Sequence, residues 1–231
     1  AQGIGFAIPI NTVKRVVEEL ITYGRVIRPW LGFTGLTVTE NLAYQYGLST
    51  TSGVLVARVV PWSPAHIAGI GEGDVIVDLG AAPGGWLQIA RRIVGESGFV
   101  LGVDIKEIEP LGFSNVVTIV GDIMEPDIIV RIKALLPRPA DAVISDASPN
   151  ISGVWEVDHA RQIELAERSL RIAMEVLRKE GNFLVKIFQG DLQSYFLRKA
   201  KRRFRSVRTF KPKASRKESA EIYVLGIGYD G

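Results

Sequence analysis

The 231-residue sequence contains no cysteine and only two histidines, His66 and His159. The lack of cysteine excludes disulfide bonds and thiolate metal sites, and two histidines cannot make a histidine-rich centre, so we predict no metal site. The sequence also lacks an apolar run of the roughly 18 uncharged residues that a membrane helix needs, and its first residues lack the order of a secretory signal. We therefore expect a cytoplasmic protein without a membrane partner.

Acidic residues are scarce in one segment. Between Asp191 and Lys217 there are eleven Lys or Arg residues and one acid. Such a block predicts a polyanion partner, and aromatic residues within it suit contact with RNA bases. A solvated helix face is the alternative, although it explains mixed Lys–Glu stretches better. The candidate RNA contacts are Arg198, Lys201, Arg202, Arg203, Arg205, Lys211 and Lys213, with Phe204 and Phe210 as candidates for base stacking.

From Asp74 onward, short β-branched runs alternate with amphipathic stretches. The runs are DVIVDLG, FVLGVDI, NVVTIVGDI, DAVISDASPN and NFLVKIFQ. A long amphipathic helix precedes the last of these and is expected to stop at Gly181, and FRSVRTF and AEIYVLGIGY are expected to pair as a closing strand pair. This order predicts a doubly wound α/β domain over residues 74–231.

Residues 1–73 have a different pattern. GIGFAIPI and SGVLVARVV are typical of strands, and a helix is predicted between Asn11 as its N-cap and Gly24 as its stop. SPAHIAGI is typical of a short helix. We treat residues 1–73 as a separate β-rich unit.

The stretch DLGAAPGGW, from Asp78 to Trp86, predicts a strand that enters a glycine-rich turn and then a helix. Glycine permits positive φ and close backbone approach, and the helix start offers free N–H groups to a ligand. Many strand-to-helix turns need glycine for geometry alone, so the turn leaves two interpretations open. Asp104 and Asp122 end the next two strands at the same carboxyl edge, which favours a ligand site over three separate loop caps.

Lys186 lies inside the apolar strand NFLVKIFQG, where an unpaired ammonium group would be costly to bury. Asp146 and Glu221 are predicted to lie at the same edge of the sheet and could pair with it. The three residues suit either proton handling at a reaction centre or a purely structural ion network.

The motifs VDLGAAPGGWLQIA, GVDI, VGDI, SDASPNISG, LVKIFQG and ESAEIYVLG resemble those of the FtsJ family of S-adenosylmethionine-dependent ribosomal RNA 2′-O-methyltransferases. The resemblance implies a class I, Rossmann-like methyltransferase fold and a ribosomal RNA substrate. It also implies that the turn from Gly80 to Trp86 holds the methionine part of the cofactor, Asp104 its ribose and Asp122 its adenine. The implied cofactor contacts are Asp78, Gly80, Ala81, Pro83, Gly84, Gly85, Trp86, Asp104, Asp122 and Asp146.

The same resemblance implies a catalytic role for three residues. Asp146, Lys186 and Glu221 match the last three members of the Lys-Asp-Lys-Glu tetrad of that family. The first lysine of the tetrad has no counterpart, and Lys14 belongs to a different pattern. We therefore expect cofactor binding to be retained and methyl transfer to be impaired.

Residues 1–77 resemble HtrA-type serine proteases, from the end of the protease domain into a truncated PDZ domain. The resemblance implies a site for a peptide C-terminus at the WLGF loop, formed by Trp30, Leu31, Gly32 and Phe33. The serine-bearing segment is absent, which excludes proteolysis, and part of the peptide groove is absent too. A structural remnant without peptide binding is the alternative.

The pentapeptide GDVIV suits both families, which predicts a recombinant PDZ/methyltransferase chimera. Because each backbone group completes only one ladder, we expect this strand to join the larger parallel sheet. The PDZ remnant would then expose strand edges and the side chains of Val54, Val56 and Ile70, which favours a homodimer. The alternative to an active methyltransferase is a chimera with a structural or peptide-binding role and no catalysis.

Overall fold

The computed structural model describes residues 33–37, 39, 41, 44, 54–59, 69–211 and 220–231, with the strands at 33–37 and 54–59 described by their backbone alone. All of them belong to the compact unit Leu31–Gly231. Within these ranges, no helix combines the length and apolar character needed to cross a bilayer. The predicted boundary between residues 73 and 74 stays a prediction.

The described elements form two sheets and four helices. The strands are β1 Phe33–Thr37, β2 Val54–Val59, β3 Val75–Leu79, β4 Phe99–Asp104, β5 Val116–Val120, β6 Ala140–Ser145, β7 Leu177–Phe188, β8 Phe204–Phe210 and β9 Glu221–Tyr229. The helices are α1 Gly85–Val94, α2 Ile128–Leu135, α3 Trp155–Val176 and α4 Gln193–Lys201. Strands β1 and β2 pair antiparallel as a separate two-stranded sheet.

The other seven strands form one sheet in the order β5-β4-β3-β6-β7-β9-β8. Strand β9 is antiparallel to both of its neighbours, and every other pair in this sheet is parallel. The GDVIV segment supplies β3, in which Val77 pairs with Leu101 of β4 and Val143 of β6. This placement confirms the predicted Rossmann-like sheet with this segment at its centre.

Helices cover both faces of the sheet, because β3 carries apolar side chains on each face and all five of its residues, Asp78 included, are buried. Helix α1 packs Leu87 and Ala90 against one face, whereas α3 packs Ile163 and Leu170 into the core of the other. Fully burying a side chain such as Leu87 contributes about 1.5–3 kcal/mol. The two cores together fix the carboxyl edge on which the candidate site lies.

The end of α3 differs from its prediction. The helix ends at Val176 rather than at Gly181, and Leu177 already pairs with Ala140 in the sheet. Leu177 is buried, and Glu180, not glycine, takes the positive φ of 64°. The burial of Leu177 and its strand pairing with Ala140 therefore end the helix before the helical sequence pattern does.

Ile70, expected to be exposed, is partly buried and packs against the core on the α1 face.

Asp141 ties three strands together at the amino edge of the sheet. Its carboxylate accepts a hydrogen bond from the Val75 amide at 2.7 Å, and it forms ion pairs with Arg138 at 2.7 Å and Arg178 at 2.5 Å. Burial alone would raise the pKa of this carboxyl, but the hydrogen bonds from Arg178, Val75 and Arg138 outweigh burial and lower it. The charged form of Asp141 therefore stabilises the fold.

Candidate cofactor and catalytic site

The glycine-rich turn joins β3 to α1 and brings two loops into close contact. Gly80 has φ of +79°, and a Cβ atom there would lie 2.6 Å from the Ala147 Cα. Gly84 has φ of +103° and precedes the first residue of α1. Glycine at both positions thus serves the turn geometry, and at Gly80 it also permits the approach of the loop that follows β6.

Asp78 is the unusual group of this edge. It is fully buried in β3, and neither carboxylate oxygen has a hydrogen-bond partner among the described residues. Burial, followed by the nearby charges of Asp146 and Asp104, raises the pKa of Asp78 well above its usual range. A buried polar group without a partner is costly, and such groups concentrate at functional sites.

Asp104 and Asp122 each cap a loop at the same edge. Asp104 accepts hydrogen bonds from the Ala82 amide at 2.9 Å and the Lys106 amide at 2.8 Å. Asp122 accepts one from the Met124 amide at 2.8 Å. These bonds orient the carboxylates at the ends of β4 and β5 and leave lone pairs on their oxygens for a ligand.

The predicted meeting of Lys186 with Asp146 is present in the structure. Lys186 is 6% exposed, and its Nζ donates a hydrogen bond to the Asp146 carbonyl oxygen at 2.9 Å and lies 3.1 Å from Asp146 Oδ1. The Tyr223 hydroxyl donates to the same Oδ1 at 2.7 Å. Burial, then the charge of Asp146, its hydrogen bond and the charge of Glu221, raises the pKa of Tyr223 well above its usual range, so this hydroxyl keeps its proton.

Glu221 lies at the start of β9, on the same side of the sheet as this cluster. Its backbone pairs with Phe188, two residues beyond Lys186, while Tyr223 pairs with Lys186 itself. Because side chains alternate along a strand, Lys186, Tyr223 and Glu221 share one face. The negative charge of Glu221 contributes to the raised pKa of Tyr223, as expected for a nearby carboxylate.

Helix α3 holds the loop that follows Asp146. Gln162 is buried and donates from Nε2 to the carbonyl oxygens of Lys186 at 2.9 Å and Ala147 at 3.1 Å. Asp158 accepts from the amides of Ser152 at 2.7 Å and Gly153 at 3.0 Å. The loop and the strand of Lys186 are therefore fixed by the same helix, which restricts movement of the Lys186–Asp146 pair.

The predicted cofactor residues of the turn differ in exposure. Pro83 is exposed, whereas Ala81 and Trp86 are buried. The Trp86 ring stacks on Tyr223 with centroids 5.9 Å apart, so this side chain supports the cluster from the core. Its contact with a cofactor stays a prediction, as do the other residues of this set.

The predicted RNA contacts do not lie together. Strand β8 runs parallel to β7, so Lys211 follows it at the carboxyl edge with Lys186. Arg203 precedes β8 at the opposite, amino edge, about 26 Å from Lys211 along the strand. Arg198, Lys201, Arg202 and Arg205 are exposed, and Arg205 forms an ion pair with Glu180. Lys213 lies outside the described residues.

The predicted base-stacking role of Phe204 is wrong. Phe204 is 3% exposed and stacks between Phe183, at 5.9 Å, and Tyr229, at 5.6 Å. Its position in β8 points it into the core, where no base can reach it. Phe210 is partly buried and stacks on Tyr223 at 5.7 Å. Phe204 and Phe210 therefore follow the strand pattern of β8.

Sequence reasoning missed three residues of the site. Tyr223 and Gln162 contact the Lys186–Asp146 pair, but the alternation of β9 and the amphipathic period of α3 describe them equally well as core residues. Trp155, at the start of α3, is 47% exposed and stacks on Phe188 at 6.0 Å. The run of apolar residues just after SPNISG was the available signal for an exposed aromatic beside the site.

Among the described residues, no group of three or more His, Cys, Asp or Glu side chains is arranged to hold a metal ion.

Of the predicted peptide-binding residues, Trp30, Leu31 and Gly32 lie outside the described residues. Phe33 begins β1, where only its backbone is described.

Comparison with known proteins relates this site to one family. Residues 65–229 match the model of a family described as FtsJ-like methyltransferase. A ribosomal RNA large subunit methyltransferase E from Methanococcus maripaludis is 52% identical over 162 residues, which is 70% of this chain and 63% of that protein. The protein of the same name from Methanothrix thermoacetophila is 56% identical over 157 residues, 68% of this chain and 60% of that protein. The chain thus spans about three fifths of the length of these relatives.

Solved structures agree with the fold. A ribosomal RNA methyltransferase from Plasmodium falciparum superposes with a TM-score of 0.62 at 24% identity, over 70% of this chain and 90% of that one. Fibrillarin from Aeropyrum pernix, crystallised with S-adenosylmethionine, gives a TM-score of 0.50 at 19% identity over 68% of each chain. At these identities the similarity supports the sheet topology alone.

Proposed function

Because the chain belongs to the FtsJ-like methyltransferase family, we propose that it transfers a methyl group to a ribose 2′-hydroxyl of ribosomal RNA. S-adenosylmethionine is the cofactor of this family. The observation that carries the proposal is the buried Lys186, held by Asp146 at the carboxyl edge of the central strands.

The residues at this edge suit the cofactor. Asp78 offers a buried carboxylate with no described protein partner, which is complementary to the cationic amino group of the methionine part. Gly80 and Gly84 present backbone without side chains beside it, and the start of α1 has no acidic residue in its first turn. Asp104 and Asp122, held by their own loops, are the proposed partners of the ribose and the adenine.

When bound, S-adenosylmethionine supplies a methyl group already activated by a positive sulfur. The remaining task for the protein is to place a weak nucleophile in line with that group. Lys186 has two of its donor directions used by Asp146, so its ammonium is fixed in place and its third N–H can hold the 2′-oxygen. Positioning of this kind removes much of a barrier, and proton handling by a placed side chain contributes about 10²–10⁴-fold.

Asp146 and Tyr223 keep this lysine in its working orientation. The Tyr223 hydroxyl occupies one lone pair of Asp146 Oδ1 and leaves Oδ2 without a described protein donor. Asp146 is partly exposed, whereas Lys186 is buried, so the carboxylate lies on the solvent side of the pair. Asp146 can therefore receive the hydroxyl proton while Lys186 orients the oxygen.

The test is methyl transfer from tritiated S-adenosylmethionine to unmodified large-subunit ribosomal RNA. We expect incorporation at a single nucleotide whose 3′ phosphodiester resists alkaline cleavage, as a 2′-O-methyl group requires. Lys186→Ala is expected to lower the rate at least 100-fold and to leave S-adenosylhomocysteine binding within about twofold. Lys133→Ala, which removes an exposed lysine paired with Glu175, serves as the matched control.

Transfer to a base instead of a ribose would contradict the 2′-O assignment. Equal rates for the Lys186 and Lys133 variants would remove Lys186 from the reaction. Absence of transfer by the parent chain, with S-adenosylhomocysteine still bound, would contradict the proposed reaction and leave the cofactor assignment intact.

The peptide site, the homodimer and the chimeric origin predicted for residues 1–77 remain predictions. Binding of a labelled peptide with a hydrophobic C-terminus, compared with its amidated form, tests the peptide site. Preference for the free carboxylate would support a PDZ-type groove, and equal binding would contradict it. Sedimentation equilibrium of the full chain tests the homodimer.

A further inference from the structure

Beyond the catalytic edge, a second site lies between α3 and α4. A cavity of about 330 Å³ opens there, lined by Glu167, Leu170, Arg171, Met174, Lys199, Arg202 and Arg203. We propose that this basic pocket binds a backbone phosphate of the substrate RNA, remote from the target nucleotide. The inference rests on the proposed function for its RNA partner and adds a contact to it.

The pocket carries an excess of positive charge. Four cationic side chains and one carboxylate line it, a net charge of +3. Glu167 is already bonded to Lys199 at 2.8 Å, and this hydrogen bond is the main cause of the raised pKa of Lys199. Among the described residues, no carboxylate pairs with Arg171, Arg202 or Arg203.

The two helices place these cations on facing stripes. Arg171 lies one turn after Glu167 on α3, and Arg202 and Arg203 lie three and four residues after Lys199, just past the last residue of α4, Lys201. Leu170 and Met174 occupy the same stripe of α3. Three exposed guanidinium groups line this cavity without a described carboxylate partner, and an anion bound there would offset their mutual repulsion.

The helix dipole accounts for only part of this arrangement. Its effect is limited to the last turn of a helix, where it favours cations such as Lys199 in α4. Arg202 is the C-cap of α4 and Arg203 follows it, so the dipole of α4 favours both cations as well. Arg171, in contrast, precedes the last turn of α3, which contains no basic residue. A phosphate ligand explains why cations from both helices meet at one cavity.

The pocket is too far from the catalytic edge to hold the target nucleotide. Helix α3 begins at that edge, and Arg171 lies 16 residues along it, about 24 Å away. A bound RNA would therefore reach from the catalytic edge around α3. The ligand is the RNA backbone, because guanidinium groups bind phosphate oxygens and the pocket presents no buried aromatic ring for a base among its described lining residues.

The experiment compares two triple variants of the full chain. Arg171→Ala/Arg202→Ala/Arg203→Ala empties the pocket of guanidinium groups. Arg161→Ala/Lys179→Ala/Arg208→Ala removes the same charge from exposed positions outside it. Affinity for an unmodified large-subunit ribosomal RNA transcript is measured by filter binding at several KCl concentrations, and the slope of log K against log salt is compared.

We expect the pocket variant to reduce the magnitude of this slope by about 0.7, since the loss of one phosphate contact on single-stranded RNA removes about 0.7. The control variant is expected to stay within about 0.2 of the parent. Arg171→Lys/Arg202→Lys/Arg203→Lys keeps the charge and is expected to restore the slope. Equal slopes for the parent and the pocket variant, equal losses in both alanine variants, or failure of the lysine variant to restore the slope would each overturn the proposal.

Two further readouts separate the possible sources of failure. If inorganic phosphate at constant ionic strength raises the melting temperature of the parent but not of the pocket variant, and RNA slopes are unchanged, the pocket binds a free anion and the RNA assignment is wrong. If the parent methylates RNA and the pocket variant has the same KM for RNA, the pocket proposal is wrong and the proposed reaction stands. If the slope depends on the pocket but no methyl group is transferred, the proposed reaction is wrong and the pocket proposal stands.

Discussion

Replacement of Asp78 by Asn tests whether the site is built at the expense of stability. Asp78 is fully buried, its oxygens have no described partner, and burial raises its pKa. Burying a polar group without a hydrogen bond costs about 1–3 kcal/mol, and charged groups cost more. We expect Asp78→Asn to stabilise the ligand-free protein by about 1–3 kcal/mol at pH 8, which is roughly 2–12 °C in Tm for a chain of this size.

The pH dependence identifies charge as the cause. Since the pKa of Asp78 is higher in the folded state, the parent loses stability as the pH rises above about 3.9, the unfolded value, toward the folded value. The gain of the variant should therefore be large at pH 8 and small at pH 4. Thermal melts over this range measure it, with Asp127→Asn as a control that removes the same charge from an exposed position.

The same substitution should weaken the cofactor site. Calorimetry with S-adenosylhomocysteine is expected to show at least a tenfold loss of affinity for Asp78→Asn. A variant less stable than the parent at pH 8, or a gain that is equal at pH 4 and pH 8, would refute the buried-charge reasoning. Unchanged affinity would remove Asp78 from the cofactor site.

Three other substitutions probe the frame of the site. Gly80→Ala places a Cβ 2.6 Å from Ala147 and forces an L-residue to positive φ, so we expect a loss of at least about 2 kcal/mol by urea unfolding. Asp141→Asn should lower the free energy of unfolding by about 1–3 kcal/mol at pH 7, a moderate value because both arginine partners are nearly half-exposed. This difference from the parent should shrink as the pH falls through the lowered pKa of Asp141 in the folded state. Tyr223→Phe removes one hydrogen bond to Asp146 and should lower the methyl-transfer rate about tenfold with little loss of stability.

Each of these has its own control. Gly112 has φ of +74°, and a Cβ added there would have no atom within 4 Å, so Gly112→Ala separates backbone strain from the contact with Ala147. Glu175→Gln breaks an exposed ion pair and should lower the free energy of unfolding much less than Asp141→Asn does. A rate unchanged by Tyr223→Phe, or similar losses for Gly80→Ala and Gly112→Ala, would contradict the respective assignments.

The strands of the large sheet were predictable because burial on both faces alone produces their uninterrupted apolar runs. Residues such as Val75, Ile76 and Val77 are buried on both faces, so only uninterrupted apolar runs suit these positions. The meeting of Lys186 with Asp146 followed from the same argument, since parallel strands end at one edge and a buried ammonium needs a carboxylate. Both predictions rest on topology and burial, and neither depends on exact register.

The features that escaped prediction depend on register and on competing local preferences. The bond from Tyr223 to Asp146 requires β9 to pair with β7 at one particular offset, which no local pattern in the sequence specifies. The end of α3 was misplaced because Leu177 suits a helix and a strand equally well until its ladder with Ala140 is known. Phe204 was assigned to RNA because a basic neighbourhood does not show which side of β8 faces the core.

The last strand in sequence lies inside the sheet, between β7 and β8. During synthesis, the cofactor turn and Lys186 leave the ribosome long before Glu221 and Tyr223 do. A nascent chain that ends before β9 has two unpaired strand edges and no donor for Asp146 Oδ1 from Tyr223. The frame around Lys186 is therefore complete only after residues 221–229 have paired with β7 and β8, the two strands that precede them in the chain.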